Sequence, residues 1–135
     1  MTENPLLKKL GAKPGKRILI LNAPDGYLEQ LQPLPEGVEL HTLPDGQYDL
    51  IQVFVLNRAA LDKSGPLALT ASRPDSFLWF SFPKGSSKIQ TDITRDSGWE
   101  LLREAGYEGV SLISVDNVWS AFRFRPAALV KSGKK

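Results

Sequence analysis

The chain has 135 residues, 41% hydrophobic and 24% charged, with a net charge of +2. That is the length of one domain, and enough chain to bury roughly 70% of its extended surface without covalent staples. It has no cysteine and one histidine, His41, which excludes disulfides, thiolate chemistry and cysteine-based metal centres and leaves no Ser–His–Asp set.

No stretch approaches the roughly 20 apolar residues of a membrane span. The start, MTENPLLKKLG, lacks a signal-peptide core. The expectation is a cytoplasmic protein with no membrane partner. Residues 1–126 read as one domain and 127–135 as a basic flexible tail. Without that tail the body is near neutral, whereas a nucleic-acid binder carries a stronger basic stripe.

Asn4 and Pro5 supply a cap and a first-turn proline, Leu6, Leu7 and Leu10 an apolar face, and Gly11 a stop. This is a two-turn helix. Ile18 to Leu21 is a continuous apolar run, the habit of a strand buried on both faces of a parallel sheet. Asn22-Ala23-Pro24-Asp25-Gly26 is turn chemistry. Tyr27, Leu28 and Leu31 follow at helical spacing until Pro33 and Pro35. Val38 to Leu43 alternates like a strand, Pro44-Asp45-Gly46 turns, and Tyr48 to Leu56 is a second long strand.

Asn57 caps a helix over Arg58 to Lys63. Gly65-Pro66 breaks or kinks it before Leu67 to Ala71 resumes. Phe77 to Phe82 is the most apolar strand. Thr94 or Ser97 caps a helix through Ala105, with Ser97 and Glu100 at capping-box spacing and Gly106 as the stop. Val110 to Val115 and Trp119 to Arg125 form a closing hairpin around Asp116-Asn117. On its second strand Trp119, Ala121, Arg123 and Arg125 share one face. Trp119 there reads either as a ligand contact or as a cover over the sheet edge, guarded by the arginines. Alternating strands and helices predict a mostly parallel α/β sheet with helices on both faces; the closing hairpin forces one antiparallel strand, and right-handed crossovers leave few topologies.

This order resembles the class I methyltransferase fold with one strand–helix unit missing. "KPGKRILILNAPDGY" looks like the first strand and cofactor loop, "YDLIQVFV" like the middle strand, "DSFLWFSFP" like the strand after it, and "WELLREAGY" like the following helix. The segments "LNAPDGY", "FPKGSSKIQTDITRDSGW" and "VDNVWSAFRFRP" also resemble a small bacterial family of unknown function. That likeness implies a Rossmann-like, methyltransferase-like three-layer fold and no mechanism. With the final hairpin, the methyltransferase resemblance implies a six-stranded sheet in the spatial order 2-1-3-4-6-5, the last strand antiparallel. Matched to the methyltransferase loop, Ile20 stands where an acid belongs, and Asn22 and Pro24 where glycines belong. Only Gly26 remains of the glycines that let backbone approach a cofactor. The resemblance therefore implies no S-adenosylmethionine in the usual pose, and no cofactor is assigned.

In open α/β sheets ligands bind outside the carboxyl ends of the strands. That edge collects Asn22, Asp25, Gly26 and Tyr27 from the first loop and Asn57 and Arg58 from the third. It also takes Lys84, Ser86, Ser87, Lys88 and Arg95 from the fourth, and Asp116 and Trp119 from the hairpin. For Asp25 and Gly26 the competing reading is a helix cap and an eased turn. Lys84 to Arg95 reads equally as an anion cradle at a helix start, with Lys84 and Arg95 carrying the anion, or as a solvated loop. Asp45 falls near where a ribose-binding acid would, but sits in a turn signal. The leading reading is a non-catalytic Rossmann-like domain binding a small anionic or nucleotide-like ligand, or a protein partner, at this edge. A methyltransferase with an atypical loop and a nucleic-acid-associated domain are the alternatives.

Overall fold

The computed structural model describes residues 5–32, 34–85, 89, 91–94 and 97–128. Asn4, Pro33, Ser86, Ser87, Lys88, Arg95, Asp96 and the tail beyond 128 lie outside the described residues.

Helix α1 (Pro5–Leu10) leads into β1 (Arg17–Leu21), followed by the single turn α2 (Tyr27–Gln30), β2 (Glu39–His41) and β3 (Tyr48–Phe54). Then come α3 (Arg58–Ala71), β4 (Ser72–Pro83), α4 (Glu100–Glu104), β5 (Tyr107–Ser114) and β6 (Trp119–Pro126). The strands form one sheet in the order β2-β1-β3-β4-β6-β5. β2, β1, β3 and β4 pair in parallel, and β6 is antiparallel to both β4 and β5. β5 therefore runs with the first four, and β6 alone is reversed. This is the predicted order, and the architecture is the α/β Rossmann-like, methyltransferase-like sandwich expected.

Strand periodicity divides the core in two. Ile18, Ile20, Leu50, Phe54, Trp79, Trp119 and Ala121 face α1 and α2, where Leu7, Leu10, Tyr27 and Leu31 complete the layer. Leu19, Leu21, Ile51, Val53, Leu78, Phe80 and Phe124 face α3 and α4, packing on Leu61, Ala68, Trp99 and Leu102. Both faces are apolar because both are covered, which is why the central strands read as unbroken hydrophobic runs.

Four local expectations are corrected. Helix α3 runs unbroken through Pro66. Gly65 serves close packing instead of a break, since a Cβ there would meet Leu101 Cδ2 at 2.5 Å. The helix expected from Thr94 or Ser97 begins only at Glu100, with Trp99 as N-cap and no side-chain cap. Thr94 and Ser97 bond each other instead, in a turn upstream. β2 is three residues long, not the six of Val38 to Leu43. Trp119 covers no edge, for β6 is an interior strand between β4 and β5, and Trp119 is 8% exposed within the core.

Candidate functional site

After β1 the chain moves to β2 on one side of it, and then returns to β3 on the other. The carboxyl ends of β1 and β3 therefore flank a topological switch point, where the connections diverge and leave a crevice. A cleft of about 450 Å³ lies there. Asn22 and Pro24 from the β1 loop, Phe54 and Leu56 from the end of β3, and Ala60, Lys63 and Ser64 from α3 line it. Trp119, at the start of β6, closes the far side.

Each wall has a local cause. Asn57 accepts a hydrogen bond from the Ala60 N–H at 2.9 Å. That cap starts α3 immediately after β3 and sets Ala60, Lys63 and Ser64 on one helix face, at i, i+3 and i+4. Asn22 has a left-handed backbone, φ 62°, the only non-glycine residue among those described to do so. Asparagine tolerates that conformation. Its Nδ2 donates to Ser64 Oγ at 3.0 Å and to the Phe54 carbonyl at 3.4 Å. The amide thus spans the crevice from β1 to α3.

The floor is aromatic. Tyr27 packs edge-on to Phe54 at 4.7 Å between centroids, and Phe54 edge-on to Trp119 at 5.0 Å. The Tyr27 hydroxyl donates to Gln52 Oε1 at 2.6 Å, and Gln52 Nε2 donates to Ser81 Oγ at 2.9 Å. Burial pushes the Tyr27 phenol far above its ordinary range. The Asp116 charge adds to that shift, and the bond to Gln52 Oε1, which only the protonated hydroxyl can donate, works in the same direction. In the unfolded chain the phenol ionises near about pH 10, whereas the folded state holds its proton well beyond. Its stability contribution is therefore complete below that pH and falls above it, by about 1.4 kcal/mol per unit. Tyr27→Phe strands Gln52 Oε1 and should cost about 1–3 kcal/mol at pH 8. The gap to wild type should narrow from pH 10 to 11 in urea titrations, and a gap constant with pH would refute the linkage.

The other site residues expected from sequence divide between the cleft and structural work. Asn22 and Trp119 line the cleft, and Tyr27 supports its floor. Asp25 is exposed, and the N-cap of α2 is Gly26, with a left-handed backbone and no side-chain cap bond. Asp116 Oδ1 accepts from the Val118 and Trp119 N–H groups, at 2.8 Å each, and so builds the hairpin turn. Lys84 is tied to that hairpin by its N–H to the Val118 carbonyl and by Nζ to Ser114 Oγ, both at 2.7 Å. Arg58 bonds Asp92 and Glu100 at the start of α3. Ser86, Ser87, Lys88 and Arg95 lie outside the described residues.

Asp45 is at the opposite edge, its carbonyl accepting from Arg17 at the start of β1. His41 is half-buried and lies between the Tyr48 hydroxyl at 2.6 Å and Glu39 at 2.7 Å, away from the cleft. Among the described residues no group of three His, Asp or Glu is placed to hold a metal, and no helix is long and apolar enough to cross a membrane.

Phe54, Leu56, Ala60, Lys63 and Ser64 were not anticipated. The signal for the last three is the helical spacing after Asn57, with Ala60, Lys63 and Ser64 at i, i+3 and i+4, and it gains meaning only once the strand ends beside that helix are known.

No family model and no curated protein sequence matches the chain. Solved structures do. A SAM dependent methyltransferase from Aquifex aeolicus is 17% identical, with a TM-score of 0.59 over 88% of this chain and 87% of that one. A structure described as the DhpI-SAM-HEP complex is 15% identical, with a TM-score of 0.58 over 90% of this chain and 84% of that one. A ribosomal protein L11 methylase from Lactobacillus delbrueckii subsp. bulgaricus is 14% identical, with a TM-score of 0.56 over 90% and 74%. At such identities the likeness is one of fold.

Proposed function

We propose that this chain is a non-catalytic binding domain on a methyltransferase-like scaffold, taking a small anionic or nucleotide-like ligand in the cleft between β1 and β3. The observation that carries this reading is the cleft's lining at the switch point. Among the described residues it offers an apolar lining of Phe54, Leu56 and Trp119, one amide, one hydroxyl, and Lys63 as its one ionisable group. Such a surface suits a flat ring with an anionic end. Among the described residues its lining holds no carboxylate or imidazole to move a proton.

S-adenosylmethionine does not fit these residues in the usual pose. The Asn22 side chain spans the crevice to Ser64 and the Phe54 carbonyl. Pro24 has no N–H to offer, and Ile20 is a buried apolar residue where an acid would be needed. The methyltransferase reading is favoured by the fold likeness, which spans nine-tenths of the chain in two of the three structures above.

Calorimetric titration separates the two. Adenosine monophosphate is expected to bind and to raise the melting temperature by mass action. Lys63→Ala should weaken that binding by about 1–3 kcal/mol without altering the melt of the free protein. S-adenosylmethionine should bind more weakly than about 10 μM, on the order of −7 kcal/mol. Tighter binding would overturn the cofactor argument and favour the methyltransferase reading instead, and no response to the nucleotide would remove the present one.

A further inference from the structure

Gln52 is wholly buried on β3, an interior strand where an aliphatic side chain would pack without needing partners. A buried amide is tolerated only when its donors and acceptor are met. Here both ends are met, and by different layers. Oε1 accepts from Tyr27 of α2 at 2.6 Å, and Nε2 donates to Ser81 of β4 at 2.9 Å. Gln52 is not among the cleft-lining residues. It holds the Tyr27 ring by its hydroxyl, Tyr27 stands edge-on to Phe54 at 70°, and Phe54 stands edge-on to Trp119 at 85°. The last two rings line the cleft.

We infer that Gln52 is the positioning residue of the cleft, setting the orientation of Phe54 and Trp119 through the hydroxyl and ring of Tyr27. An apolar residue at 52 would leave the Tyr27 hydroxyl buried without its acceptor. The ring would then have to turn to reach another, and edge-to-face packing passes the rotation along. Ligand selectivity in the cleft thus depends on a side chain that touches no ligand. This rests on the cleft being a binding site, but the ring geometry can be tested without a ligand.

The protein has three tryptophans, so 5-fluorotryptophan labelling gives three fluorine resonances, with Trp119 assigned by Trp119→Phe. Gln52→Leu and Tyr27→Phe should each move the Trp119 resonance by more than its linewidth and leave that of Trp99, on the opposite face, in place. The double variant should move it no further than the larger single change, because the two act through one bond. Adenosine monophosphate binding should weaken about 3–10-fold in both single variants. An unmoved Trp119 resonance in a cooperatively melting Gln52→Leu overturns the inference. Should that variant not fold, Tyr27→Phe, which keeps the ring, decides by the same criterion. Absence of nucleotide binding to wild type would remove the cleft reading, while the resonance pattern would still decide the role of Gln52.

Discussion

Trp99→Ala is expected to remove about 3–5 kcal/mol of stability, a large share of the roughly 5–15 kcal/mol that holds a domain folded. Trp99 is fully buried. Its ring meets Phe82 at 5.4 Å, Phe122 at 5.6 Å, Phe124 at 5.1 Å and Phe80 at 6.3 Å, so one side chain joins rings from β4 and β6. Its indole N–H donates to the Thr94 carbonyl at 2.7 Å, fixing the approach to α4.

Alanine would leave a cavity that four rings from two paired strands cannot collapse into without bending the sheet. Edge-to-face contacts worth about 0.5–1.5 kcal/mol each would go with it. Urea unfolding followed by near-ultraviolet circular dichroism measures this. A loss under about 1.5 kcal/mol would mean that the face relaxes freely and that this aromatic cluster is not its anchor.

The buried parallel strands were legible because "ILIL", "YDLIQVFV" and "FLWFSF" are apolar on both faces, and the final hairpin forced one reversal. Their spatial order followed from the methyltransferase resemblance together with that hairpin. Helix limits were less legible. Pro66 signals a break, but α3 is held by Leu61, Ala68 and Ala71 against the sheet, and that packing outweighs the one hydrogen bond proline removes. Thr94 and Ser97 resemble caps from their spacing, yet each satisfies the other.

The candidate site was legible as an edge and less so as a set of residues. Topology places Asn22 and Trp119 together, as expected. Asp116 and Lys84 have chemistry that suits ligands, but their hydrogen bonds go to the hairpin. A sequence shows donors and acceptors without showing which are already engaged. Lys63 is inconspicuous in the sequence for the converse reason. An exposed lysine on a helix is unremarkable until the strand ends beside it are known.

Gly11→Ala is expected to cost about 2–5 kcal/mol, the sum of two separable effects. Gly11 ends α1 with φ 94°, its N–H donating to the Leu7 carbonyl at 3.0 Å. A side chain in that left-handed region costs roughly 1–2 kcal/mol. The second effect is crowding, for a Cβ at position 11 would overlap the Phe77 ring. That ring is not free to swing aside, since the Arg123 guanidinium lies 3.8 Å from its centroid. Nor can the helix end lift, because Trp79 Nε1 donates to the Leu10 carbonyl at 2.9 Å. Overpacking of this kind costs about 1–3 kcal/mol more. Gly15→Ala is the control, with φ 80° and open space where its Cβ would go. It should lose the conformational part alone. Chemical denaturation of both variants gives the crowding effect as their difference, and equal losses would mean that Phe77 and Arg123 yield and that α1 is not wedged against the sheet.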